Sequence, residues 1–594
     1  MSNKMSNKNL NSSKKSSVAA NSAHVEFNPN YRFTHRSGWL PAPDSVAFKT
    51  FFDEVLTPTQ GDYAPSVQAL DDFISANPVL SYLMDNACKQ NNNLVVACSA
   101  TAKSEQVYLP RIASKDDLLT GFNNILTRPP YFVNDELVGL PFSALVVGID
   151  PTLSGVTLFG LPMFNEKMQA ILNDWNTFLA SPASNTVFSV DGQQWLSPAA
   201  KQQYQFEVWK KDNETLPYWN SWNSFFTRQF KDQQASRPVA APNDNSIVIS
   251  ANDGSLFRWD DNVASTEVFW FKDMTYSLSD IFSSEIPAQQ SVIDQYNLLE
   301  LFTDGSVFQT YLNPYNFHRW WCPANGTVLF DPIVIPGCYF NKLVIPDFGG
   351  ATTASLPYLV EVNARGMMVI KTPDYGYVCC IPLGMSEVST IAFDTQMQAG
   401  ATVSKGQEMG MFEYGGSSYV MIFQKIPGKK LIFQDAMGQV FAKNPAPPQG
   451  SADTGGNVTL IGGQIGKWED VDFCIQSTQS WQNAGYVNEG CQYQITYVSG
   501  LWTANPNINN GNLYDANGSS VTATQASYPL QGAAEGALVG QIGNNPPFLI
   551  GDSGLTPAGQ TGQLQLVIND DLTGQYGAGL SDNVGQIIVS IKQA

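Results

Sequence analysis

The chain of 594 residues is too long for one hydrophobic core, and a prior of about 150 residues per domain predicts three or four units. Its 32 Lys and Arg against 52 Asp and Glu give a net charge of −20, which repels nucleic-acid phosphates and an anionic membrane face alike and so excludes nucleic acid as an expected partner. Hydrophobic residues make up 43% and charged ones only 14%, and no apolar run approaches the ~20 residues of a bilayer span, so a soluble cytoplasmic protein rich in strands and polar loops is expected.

Residues 1–35 hold a duplicated MSNK and lack the apolar segment of a secretory signal, which predicts a disordered tail. From 36 to 184 the signals are mostly helical. In MFNEKMQAILNDWNTFLASP, Met168, Ile171, Leu172, Trp175 and Leu179 fall on one face at helical spacing, and the closing Ser-Pro ends the run. From 185 to 440, short alternating runs such as NSIVISANDGSLF and NGTVLFDPIVIPGCYF, divided by Gly, Pro and Asn, predict a β-rich domain.

Residues 441–456 replace the hydrophobic pattern with Pro, Gly and small polar residues and are expected to form a flexible linker. Beyond it, 457–594 alternates at period two in YQITYVSGLW, GQLQLVIND and VGQIIVSIK, as a small antiparallel sandwich without significant helix would. The expected fold class is therefore α+β: a helical N-terminal domain, a β-rich central domain and an all-β sandwich, with no internal repeat of 20–50 residues. Eight scattered cysteines, with no CxxC pair and no zinc-like histidine set, read as buried thiols in a reducing compartment; Cys474 and Cys491 would pair only in an exported chain.

One short run raises a chemical question. MFEYGGSSYVMIF (411–423) sets Gly415-Gly416-Ser417-Ser418 between strand-like flanks, and taken alone it reads as a tight turn. Taken in order with FFTRQFKDQQASRPV (225–239), ISANDG (249–254), NPYNFHRWWCPANGTVLF (313–330) and GATVSKGQEMGMF (400–412), it resembles the phosphatidylserine decarboxylase family of pyruvoyl enzymes over residues 215–425. HRSGWLP (35–41), GLPFSALVVGIDPTLSG (139–155) and the 164–181 helix resemble the extra N-terminal domain of soluble members, among them fungal aromatic amino-acid decarboxylases.

The resemblance implies that Ser417 Oγ attacks the carbonyl of Gly416, splitting the chain there and leaving a pyruvoyl group derived from Ser417 as the cofactor. Glycine suits the attacked position because it tolerates strained backbone. The ketone would form a Schiff base with the amine of a small-molecule amino-acid substrate and act as an electron sink when CO₂ leaves. The resemblance also matches Asp253 to the acid that orients the self-cleavage base, and His318 to the histidine used in decarboxylation.

One departure stands out: Trp321 occupies the usual place of a second histidine, the self-cleavage base, and indole has no basic nitrogen. Neither His24 nor His35 is an obvious substitute. Three readings stay open: a processed amino-acid decarboxylase, an uncleaved binding protein on the same scaffold, and an enzyme whose substrate is phosphatidylserine.

In the last segment, SGLWTANP, GALVGQIG, FLIGDSG and GQLQLVINDDLTGQYGAGLSDNVGQIIVSI are similar to the calcium-dependent, galactose-binding lectins of the PA-I type. That resemblance implies Ca²⁺ ligands at Asp570, Asp582 and Asn583 and a carbohydrate partner; the alternative is that NDD and SDN are only acidic turns. The oligomeric state is not legible.

Overall fold

The computed structural model describes residues 46–58, 61–101, 112–130, 132–133, 136–150, 152–266, 276–312, 316–340, 356–385, 387, 390–443, 458–507 and 511–594. The expected tail, His24, His35 and nearly all of the expected linker lie outside them.

The N-terminal third is helical, as its periodicity predicts. The Pro162–Ala180 helix starts with proline at its first turn, ends before Pro182 and buries Met168, Ile171, Leu172, Trp175 and Leu179. The Lys115–Ile125 helix is fixed by a capping box in which the Ser114 hydroxyl accepts from Asp117 N and the Asp117 carboxylate accepts from Ser114 N. Helical structure runs past residue 184, through the turns Pro182–Phe188 and Phe206–Val208, and the central sheets begin only at Ile247–Ile249. Pro182 opens the first of these turns and Pro198 the short helix Pro198–Gln203 between them, and a dense aromatic cluster around Trp195, Trp219, Trp222 and Phe225 replaces strand pairing there.

The principal sheet is antiparallel, in the order Thr402–Val403, Gly326–Val328, Arg365–Lys371, Tyr377–Met385, Gly416–Phe423, Gly305–Leu312, Gly254–Val263 and Val458–Thr459, with Ile333–Ile335 also pairing Arg365–Lys371. Gly416–Phe423 is an inner strand, covered on both faces, so Tyr419-Val420-Met421-Ile422-Phe423 is a continuous apolar run instead of an alternating one. Helices and sheet share one hydrophobic core that extends from Phe48 to Tyr486.

Two four-stranded antiparallel sheets form the C-terminal sandwich, with strands starting at Phe473. It has a separate core of residues such as Ile475, Ile495, Trp502, Leu538, Leu566 and Ile587. The only helical element described there is the short 3₁₀ turn Gly579–Asp582.

The expectation of a sandwich joined only through a flexible linker is corrected. Val458–Thr459 pairs with Gly254–Val263, and Gln464–Asp470 lies between Ile247–Ile249 and Lys429–Ile432, so the chain past residue 457 first completes the central sheets. The sandwich then docks on the same body. Tyr486 N donates to Lys425 O at 2.8 Å, the Gln424 and Asn488 amides exchange hydrogen bonds at 2.9 and 3.1 Å, and Asn483 Nδ2 donates to Asp304 Oδ2 at 2.7 Å. Gly485, at φ +132°, allows this approach: a Cβ there would lie 2.5 Å from Pro427 N.

Candidate active site

Ser417 stands near the head of the Gly416–Phe423 strand, registered opposite Gly384 on one side and Leu312 on the other. Its hydroxyl is buried and makes no hydrogen bond. That is costly for a group kept only for structure, since a buried polar atom without a partner forfeits its hydration. Ser418, by contrast, is satisfied: its hydroxyl donates to Thr310 O at 2.7 Å and accepts from Gln309 Nε2 at 3.0 Å. The turn falls one step earlier than the GGSS reading places it, because Gly416 is already in the strand while Gly415 has φ +146°.

Two routes lead from this bond to the other expected residues. On the following side, Thr310 donates to Asn252 Oδ1 at 2.9 Å, next to Asp253. On the preceding side, the Tyr414 ring meets Phe226 edge-on at 4.8 Å, and Phe226 lies 4.1 Å from the His318 ring. No hydrogen bond joins Ser417 Oγ to His318 or Asp253.

His318 is fully buried at the entrance to the Arg319–Trp321 strand, its carbonyl accepting from Phe412 N at 3.0 Å. Nδ1 lies 3.0 Å from Asn316 O, and a carbonyl only accepts, so Nδ1 carries the proton and Nε2 the lone pair. Burial, and then the nearby Arg228 guanidinium, hold its pKa well below the usual histidine value. Arg228 is itself buried, stacked on Trp209 at 4.4 Å and donating from Nη2 to the same Asn316 carbonyl at 3.3 Å.

Asp253 is also buried, but it serves a different partner from the one expected. Arg237 closes on both its oxygens, and Ile461 N donates to Oδ1 at 2.9 Å. Trp321 fills the neighbouring space, its backbone N on Ala251 O at 2.8 Å and its ring against Gly462. Its indole N–H is buried without a hydrogen bond. Arg237 lies in the Arg-Pro segment that carried the resemblance, yet nothing local in the sequence assigns it to Asp253. Tyr414, Phe226 and Arg228 left no signal beyond lying inside quoted motifs.

In the sandwich, Asp570 and Asn583 are buried side by side, with Asp570 Oδ2 and Asn583 Oδ1 making no hydrogen bond. Asp570 Oδ1 accepts from Asp571 N at 2.7 Å, and Asn583 Nδ2 donates to Ser477 O at 2.9 Å. Burial first, with the charges of Glu535 and Asp582 adding to it, pushes the Asp570 carboxyl up to about 6. Asp582 is the last residue of the 3₁₀ turn. Among the described residues no three His, Cys, Asp or Glu side chains gather closely enough to hold a metal, so a cation here would depend on the Asn583 amide and on backbone oxygens.

Comparison with known proteins fixes the class. A family model described as phosphatidylserine decarboxylase matches residues 222–440, and a second, related model matches 64–204. Decarboxylase iboD of Amanita muscaria is 32% identical over 310 residues, covering 48% of this chain and 84% of that protein. An L-tryptophan decarboxylase of Psilocybe cubensis is 26% identical over 441 residues, covering 68% of this chain and 92% of the relative. A phosphatidylserine decarboxylase proenzyme 2 of Oryza sativa is 27% identical over 212 residues, 36% of this chain and 30% of that one. The protein is a carboxy-lyase. The chain belongs to the phosphatidylserine decarboxylase family.

Proposed function

We propose that the protein is a self-processed, pyruvoyl-dependent decarboxylase of a free amino acid with an aromatic side chain. The observation that carries this reading is the buried, unpartnered Ser417 hydroxyl beside the Gly416 carbonyl, with Gly415 in a backbone region that favours glycine. The likeness to tryptophan decarboxylases over most of the chain supports the substrate class.

The maturation step balances without an outside reagent except water. Ser417 Oγ bonds to Gly416 C, the Gly416–Ser417 C–N bond breaks, and the hydroxyl proton passes to the freed amine. Loss of the Ser417 α-proton then breaks the Cβ–O bond and releases the Gly416 carboxylate; one water enters and one ammonia leaves to give the ketone. When formed, the pyruvoyl group supplies a carbonyl that condenses with the substrate amine and draws electrons as CO₂ departs.

The chain's own residues supply the surroundings. His318 presents its Nε2 lone pair from a water-poor pocket, with Asn316 O fixing the tautomer and Arg228 disfavouring protonation. Asp253 is engaged by Arg237 and orients no imidazole. Timed gel electrophoresis of purified protein tests the self-processing half, and release of CO₂ from added tryptophan tests the substrate half.

A second reading is favoured by one specific observation. The base position is an indole and its orienting acid is already neutralised by arginine, as an uncleaved binding protein would tolerate. Loss of a general base is worth about 10²–10⁴-fold in rate, which slows a reaction that has to occur once per molecule without abolishing it.

For the sandwich, the orphaned oxygens of Asp570 and Asn583 support Ca²⁺ binding together with Asp582, and through the ion a carbohydrate. Acidic turns without a metal are the competing reading.

A further inference from the structure

The scissile bond is held from two directions. On the strand side the restraint is the sheet ladder, through Met385 opposite Gly416 and through Leu312 and Gly384 opposite Ser417. Ahead of the strand, at Glu413 and Tyr414, it comes from the N-terminal helical domain. The Tyr414 hydroxyl donates to Gly139 O, and its ring packs edge-on against Trp175 at 5.3 Å. Beside it, Asn176 donates to the Glu413 carboxylate and to Thr390 Oγ1 at 3.3 Å, and Asn223 donates to Asn176 Oδ1 at 2.6 Å. Nearby, the buried Glu387 carboxylate accepts from Ser143 N at 2.7 Å and from Ser143 Oγ at 3.3 Å. Only Gly415 lies between the anchored Tyr414 and the strand, which opens at Gly416, registered opposite Met385.

We propose that the N-terminal helical domain is the positioning element for self-cleavage, acting through Tyr414 and Glu413 to fix the Gly416 carbonyl for attack by Ser417 Oγ. This rests on the self-processing reading and gives the helical domain a task within it. Attack needs the oxygen near 3 Å from the carbonyl carbon and on the correct face, and Gly415, at φ +146°, is a link with no side chain of its own to direct the entry into Gly416. With a strand on one side and a docked tyrosine on the other, the link has little freedom left to lose when the new Oγ–C bond forms and the C–N bond breaks. Burial, and then the Glu387 charge, push the Tyr414 phenol well above its usual pKa, so it stays a donor to Gly139 O. Tyr414 touches neither reacting atom and is a positioning residue.

The test follows precursor loss in the full-length protein by timed gel and intact mass, for wild type, Tyr414→Phe, Asn176→Ala and the uncleavable Ser417→Ala, with a melting temperature for each. Tyr414→Phe keeps the ring packing and removes only the hydroxyl; it and Asn176→Ala are expected to slow cleavage on the order of 10-fold to 100-fold while melting near wild type. Cleavage of both variants at the wild-type rate overturns the proposal, as does slowing that merely tracks lost stability. If Tyr414→Phe fails to fold, Asn176→Ala decides alone. A wild-type chain that never cleaves is seen before any variant is made, and it removes the self-processing reading and the positioning role together.

Discussion

Arg237 binds Asp253 through two nitrogens, Nε 2.9 Å from Oδ1 and Nη2 2.6 Å from Oδ2, at a site where the family resemblance expects the carboxylate to orient a histidine. The acid is therefore already committed. Trp321→His alone is expected to quicken self-cleavage by less than the 10²–10⁴-fold of a full general base, because the new imidazole finds its orienting partner occupied. Adding Arg237→Gln should release Asp253 and raise the rate further. Cleavage half-times of the two variants check this, and full acceleration by Trp321→His alone would contradict it.

His318 makes a prediction about pH. Its pKa in the folded protein is depressed, so below about 6.5 the unfolded chain binds a proton that the folded chain refuses. Stability then falls as the pH drops through that value, by at most about 1.4 kcal/mol per pH unit. Glu361 acts in the opposite sense, since burial pushes its carboxyl up to about 8, so the comparison must be between wild type and His318→Asn rather than within one protein. Denaturation at pH 5 to 7 should show a shallower loss in the variant. In activity, His318→Asn should lower kcat on the order of 10²-fold or more and leave cleavage nearly intact.

The docked sandwich predicts coupled unfolding. A side chain at Gly485 combines a positive φ with a clash against Pro427, so Gly485→Ala should cost about 1–3 kcal/mol and loosen the junction. Calorimetry should show one transition in the wild type and the first sign of two in the variant. Two well-separated transitions in the wild type would mean that the Gln424–Asn488 and Tyr486–Lys425 contacts do not couple the parts.

Calcium should stabilise the whole protein if Asp570, Asp582 and Asn583 hold it. A ligand that binds only the folded chain adds RT ln(1 + [Ca²⁺]/Kd), about 2.7 kcal/mol at a hundredfold excess over Kd. The melting temperature should rise from chelator to calcium, and Asp570→Asn should remove the difference. Identical wild-type melts in both would leave two acidic turns and no metal site.

The elements that the sequence discloses are those whose pattern is local. The face of Pro162–Ala180 and the alternation of the last domain are repeats of 3.6 or 2 within a single element, and the stretch 419–423 is one unbroken apolar run. The Gly-Ser step was legible only in company, through motifs spread over residues 215–425 that resemble one family in the same order. What escaped was long-range. The bond from Ile461 to Asp253 spans 208 positions and that from Tyr414 to Gly139 spans 275, and no periodicity encodes either. The same applies past the Pro- and Gly-rich segment, whose composition marks a break in pattern but not which strand the following residues pair with.

Intact mass of the purified protein decides between the two readings of Ser417. The processed enzyme gives two chains, 1–416 and 417–594, together accounting for the precursor plus one water minus one ammonia, and Ser417→Ala stays whole. A single wild-type species near 64.9 kDa after prolonged incubation, indistinguishable in its persistence from Ser417→Ala, would contradict self-processing and leave the protein without its cofactor.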